Sequence, residues 1–128
     1  VGLYAAKNAV LVAAQLGLGH AARALLIHMA LECWDDEHNP GGQPPRRYFA
    51  GREASALALG FLAPSNGSAA AHQAVKRAVT ELTHTGAITR LRSGRNGRAA
   101  EFELNLNSTK PPTRGRRLPE FRDRVTDV

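Results

Sequence analysis

One cysteine, one methionine and one tryptophan in 128 residues set the first limits on this chain. The lone thiol, Cys33, excludes an internal disulfide framework and fits a reducing compartment. Aromatic residues make up only 5% of the sequence. Long apolar runs are missing too. Ala9-Val10-Leu11-Val12-Ala13-Ala14 is typical of the longest, far short of the roughly 20 residues that cross a bilayer as a helix. The N-terminal segment carries one lysine, Lys7, and no convincing cleavage site, so no secretory signal is expected. Enzyme signatures are also wanting. There is no Gly-x-x-x-x-Gly-Lys-Ser/Thr phosphate loop, no Gly-x-Ser-x-Gly elbow and no His-Glu-x-x-His pair. Gly17-Leu18-Gly19 has neither a preceding strand nor a third glycine, and reads as a hinge between helices. His28 and Glu32 stand one helical turn apart beside Cys33, but an ordinary exposed pair at i, i+4 accounts for them. Asp35-Asp36-Glu37-His38 opens a loop without ligand spacing. The chain therefore reads as a non-enzyme without metal or cofactor.

What is present is enough chain for one domain with its own core and a lopsided charge. The formal net charge is +6 with a pI near 10.4. Residues 1–60 hold five basic and five acidic residues, whereas residues 61–128 hold twelve basic and six acidic. The whole excess lies in the second part, as expected of a polyanion binder. A solubilising surface is the alternative explanation for charge alone.

The organising stretch runs from Ser68 to Leu106. After the N-cap candidate Ser68, residues Ala71, Val75, Ala78, Val79 and Leu82 recur every three or four positions and predict one buried helix face. Gln73, Lys76, Arg77, Thr80 and His84 fall on the opposite face. Gly86 is placed to close the helix in a left-handed conformation, with Ala87 turning back toward Leu82. Two alternating segments, residues 87–92 and 99–106, flank the basic turn Ser93-Gly94-Arg95-Asn96-Gly97-Arg98 and predict a β-hairpin. On that hairpin Arg90 and Arg92 are expected on one face, with Arg95 and Arg98 at the tip.

Upstream, a helix is expected over residues 3–15 with Leu3, Ala6, Val10 and Ala13 or Ala14 along one side, and Lys7 and Asn8 off it. A second helix begins at His20 and runs to about Asp35. Ala22, Leu25, Leu26, Met29 and Cys33 form one apolar face and Ile27, Leu31 and Trp34 another, leaving Ala21, His28 and Glu32 as a narrow wet stripe. The second apolar face needs a cover. Either a homodimer contact shared with the N-terminal helix or packing within one chain supplies it. Arg46 to Phe49 reads as a short extended segment. Arg52 to Leu59 reads as a compact helix with Ala54, Leu57 and Ala58 inward, ended by Gly60. The predicted organisation is an N-terminal helix over 1–17, a domain over 18–106, and a basic, proline-rich disordered tail over 107–128 around Lys110-Pro111-Pro112-Thr113-Arg114-Gly115-Arg116-Arg117.

Helix, short strand, helix, turn, helix, strand, basic turn, strand is the resulting order. Through residues 48–60 and 72–90, with the passage Thr85-Gly86-Ala87-Ile88-Thr89-Arg90 leaving the last helix, the sequence resembles the winged helix-turn-helix DNA-binding family. The likeness covers about residues 21–106 and is nearest to small DNA-binding proteins of actinobacterial phages and plasmids, replication initiators included. The gap from Gly60 to Ser68 departs from it, being longer than a tight helix-turn-helix turn. The resemblance implies a mainly α fold with a small β-hairpin, a winged helix-turn-helix with an extra N-terminal helix. It further implies sequence-specific binding of double-stranded DNA at an origin or operator of a mobile element, in the cytoplasm on the nucleoid, beside replication or transcription proteins. Residues 68–85 become the recognition helix and 87–106 the wing. Gln73, Lys76 and Arg77 suit base edges. Asn66, Ser68 and Thr80 suit phosphates near a helix N-terminus, as do Arg90, Arg92, Arg95 and Arg98 along the wing. A winged helix that docks on protein within a nucleoprotein assembly is the alternative.

Overall fold

The computed structural model describes residues 3–33, 46–92 and 100–106. They are mainly helical, with a small three-stranded antiparallel sheet. The elements in chain order are α1 (Leu3–Leu16), α2 (His20–Glu32), β1 (Arg47–Ala50), α3 (Arg52–Ala58), a 3-10 turn (Ser65–Gly67), α4 (Ala69–His84), β2 (Ile88–Arg92) and β3 (Ala100–Leu104). The sheet order is β1-β3-β2. The expected hairpin is thus joined by the extended segment near Arg47, which pairs with β3 through Tyr48 opposite Phe102 and Arg47 opposite Glu103. One side of the sheet contributes Tyr48, Ile88, Phe102 and Leu104 to the core, where they join Leu25, Leu26 and Met29 of α2 and Val75, Val79 and Leu82 of α4.

Three helices stop in the same way. Gly17, Gly60 and Gly86 all have positive φ, and the residue after each returns its N–H to a carbonyl five positions back: Leu18 to Ala13, Phe61 to Ala56, and Ala87 to Leu82. Both ends of each return bond are apolar, so the cap that satisfies the last carbonyls also seals the core edge. The long gap before α4 is filled by the 3-10 turn, and Asn66 Nδ2 donates to the Glu53 carbonyl at 3.4 Å, which fastens the turn to α3.

Two helices depart in part from the faces expected of them: Ala6 and Ala13 of α1 are buried and Ala58 of α3 packs against the core as expected, but their other inward residues differ. On α1 the buried residues are Ala5, Ala6, Asn8, Ala9 and Ala13, while Leu3 and Val10 are each about half exposed. The alanines let α1 lie close against α2, and the bulkier side chains are left outside. Asn8 is tolerated inside because its Nδ2 donates to the Tyr4 carbonyl at 3.0 Å. On α3, Ser55 and Ala56 are buried and Ala54 and Leu57 are exposed. That is a rotation of one residue, or about 100°. It places the Ser55 hydroxyl 3.1 Å from that of Tyr48 inside the protein. Burial raises the Tyr48 phenol above its ordinary ionisation range, and the bond to Ser55 acts the other way. On α2 the face of Ala22, Leu25, Leu26, Met29 and Cys33 is buried as expected. Ile27 packs against the same core, whereas Leu31 is exposed. Trp34, the acidic loop and the tail lie outside the described residues.

His28 also departs from the wet stripe assigned to it. Its ring is half buried and meets Tyr48 edge-on, with centroids 5.8 Å apart. Its Nε2 is buried and has no hydrogen-bond partner among the described residues. An unsatisfied buried group of this kind costs about 1–3 kcal/mol. His28→Phe keeps the aromatic packing and removes the orphan, so it raises the unfolding free energy by about 1 kcal/mol in urea melts. A loss of that size would contradict the assignment.

Candidate nucleic-acid interface

The outer face of α4 is an open polar surface in the basic half of the chain. The helix starts at Ser68, whose Oγ accepts the Ala71 N–H at 3.2 Å. Burying Ala71, Val75, Ala78, Val79 and Leu82 turns the remaining residues outward. Gln73, Lys76, Arg77, Thr80 and His84 are all exposed. The periodicity read from the sequence therefore locates this face correctly.

Hydrogen bonding divides the candidates further. A phosphate is an acceptor, so a hydroxyl that meets it must donate. Thr80 Oγ1 already donates to the Lys76 carbonyl at 2.8 Å. Its single proton is committed to its own helix, which removes the reason for assigning it to phosphate. Ser68 accepts in its cap bond and keeps its hydroxyl proton. Asn66 spends one amide hydrogen on Glu53 and keeps the other.

The charges on this face are free of local acids. Glu81 is the only acidic residue on α4 and lies one turn beyond Arg77. Its carboxylate does not pair with Arg77 but accepts the Gly19 N–H at 2.8 Å. Gly19 is the N-cap of α2 and has no side chain for that purpose, so Glu81 caps a neighbouring helix from α4. Among the described residues neither Lys76 nor Arg77 forms an ion pair.

The ribbon that follows is fixed firmly to α4. Ala87 N–H donates to Leu82, Asn105 N–H donates to Ala87, and Asn105 Nδ2 donates to the Gly86 carbonyl at 2.8 Å and to Thr89 Oγ1 at 3.0 Å. A register shift between Arg90 and Arg92 then changes the expected arrangement of the arginines. Arg90 pairs opposite Phe102, but Arg92 pairs opposite Glu101. Neighbouring residues of β3 point to opposite faces, so the two arginines are split. Arg90 lies over the Phe102 ring with its guanidinium carbon 5.4 Å from the centroid. Arg92 Nη1 approaches Glu101 Oε1 at 3.7 Å. The bulged residue Leu91 is exposed. Arg95 and Arg98 lie outside the described residues.

Asn105, Glu81 and Glu101 position the candidate surface and were not singled out from the sequence. Glu81 had a signal in being the only acid on a basic helix. Asn105 and Glu101 had none, because their roles depend on strand register. Among the described residues no three His, Cys, Asp or Glu side chains gather as a metal site, and no helix is long and apolar enough to cross a membrane. The chain matches no protein-family model, no curated protein and no solved structure.

Removing the borrowed cap exposes its structural role. Glu81→Ala lowers the unfolding free energy by about 1 kcal/mol, whereas Arg77→Ala, on the free face, changes it by less than about 0.5 kcal/mol. Thermal or urea melts of the two variants measure the contrast. Equal losses would place Arg77 in the structural network.

Proposed function

We propose that this chain is a double-stranded DNA-binding protein of the winged helix-turn-helix kind with an extra N-terminal helix. In this reading α4 enters the major groove and the β2–β3 ribbon runs beside it along the phosphates. The observation that carries the reading is the outer face of α4, where Gln73, Lys76 and Arg77 are exposed and, among the described residues, no acid engages the two cations. The fold reading draws support from the element order after α1 and from β1 lying beside β3 in the sheet. The electrostatic footprint fits as well, since the net positive charge resides in the half that contains α4 and the ribbon.

Specificity and affinity separate by residue. Gln73 offers a donor and an acceptor suited to adenine, and Lys76 and Arg77 offer donors suited to guanine, each good pair contributing about 1–3 kcal/mol of discrimination. Ser68, Asn66 and the ribbon arginines supply phosphate contacts. The biological setting we infer is origin or operator binding by a protein of a mobile element. No cofactor or catalytic step is involved in it.

A second reading, docking on protein, draws on the exposed apolar residues Leu3, Val10, Phe49 and Leu62. A second copy of the chain is one partner that such residues would suit. Fluorescence polarisation with random duplex at low salt separates the two. DNA binding predicts micromolar affinity, and absence of it favours docking. With about six phosphates neutralised per protomer, log K falls against log salt with a slope of about −5. Arg77→Ala relaxes sequence preference, whereas Arg95→Ala weakens all sequences alike. A flat salt response would contradict the DNA reading.

A further inference from the structure

We propose that Glu101 restrains the ribbon by holding Arg92 away from phosphate, and so sets the affinity of the DNA-binding surface. The proposal rests on the DNA reading above. Glu101 lies on the central strand with only 13% of its side chain exposed, between one arginine from each outer strand. Its two oxygens are used unequally. Oε2 accepts from Arg47 Nη1 at 2.8 Å, while Oε1 is 3.7 Å from Arg92 Nη1. The first is a short charge-assisted hydrogen bond. The second is too long for a hydrogen bond and is an electrostatic hold on a partly exposed guanidinium.

That asymmetry makes a competition. When a phosphate oxygen comes close to the ribbon, Arg92 exchanges its distant carboxylate for a direct acceptor. Glu101 stays neutralised by Arg47, so the exchange leaves no buried carboxylate unpaired. The register shift at Leu91 places Arg92 opposite Glu101. The restraint is therefore built into the strand pairing. Glu103 provides an internal comparison, since it lies on the same strand two residues on, opposite Arg47 and Thr89 rather than Arg92.

Polarisation with a random 20-base-pair duplex at several salt concentrations tests this with five proteins: the unaltered chain, E101Q, E103Q, R92A and the R92A/E101Q double variant. E101Q tightens binding about fivefold and steepens the salt slope by up to about 0.9. E103Q changes affinity less than about twofold, and the E101Q gain disappears in the R92A background. A folded E101Q that binds no more tightly, or a gain that persists without Arg92 or is matched by E103Q, overturns the proposal while leaving DNA binding intact. Failure of the unaltered chain to bind duplex overturns the DNA reading and this proposal with it. Should E101Q fail to fold, side-chain NMR of the unaltered chain supplies the same test. On adding duplex the Arg92 Nε–H signal shifts and that of Arg47 stays. Movement of both, or of neither, overturns it.

Discussion

The return of the Ala87 N–H onto the Leu82 carbonyl is the contact on which the rest of the architecture depends. Leu82 is fully buried, Gly86 takes the left-handed conformation that permits the turn, and Ala87 and Ile88 enter the core immediately afterward. The chain therefore leaves α4 in one direction only. Asn105 holds the other end of that joint, bonding back to both Gly86 and Ala87. With helix and ribbon fastened at the same place, the polar face of α4 and the basic strands behave as one rigid surface. A flexible joint here would leave two independent basic elements.

Two acidic residues near this surface, Glu81 and Glu101, have partners that hold them. Glu81 is drawn to the α2 N-terminus and so leaves Arg77 free. Glu101 is held between Arg47 and Arg92 in the sheet. The consequence, among the described residues, is a helix face whose two cations have no acidic partner beside two ribbon arginines that have intramolecular ones: Phe102 for Arg90 and Glu101 for Arg92. Charge count alone does not distinguish these two groups. Partner geometry does: the α4 cations have no acidic partner among the described residues, and Arg90 and Arg92 each have a partner.

The parts of this arrangement that were legible in the sequence are those governed by period and by special backbone conformations. The five buried positions of α4, its Ser68 cap and its Gly86 stop follow from spacing and local chemistry, and each is found where expected. The α1 face was misread because its period was traced through Leu3 and Val10, whereas close packing selects the alanines. The α3 face read from the apolar residues Ala54, Leu57 and Ala58 leaves out Ser55, which is buried. Its hydroxyl is buried against Tyr48, which only the tertiary structure supplies. The separation of Arg90 from Arg92 was also out of reach. A bulge alters facing without altering the alternating pattern that suggests a strand. Thr80 was located correctly on the helix face, but its donor is used by the preceding turn, a common arrangement for threonine within a helix.

The rigid α4–ribbon surface is tested most directly by titrating isotope-labelled protein with duplex DNA and following its backbone amide signals. The account predicts shifts concentrated at residues 68–77 and along β2, with α1 unaffected. Shifts confined to α1, with residues 68–77 and β2 unmoved, would contradict it.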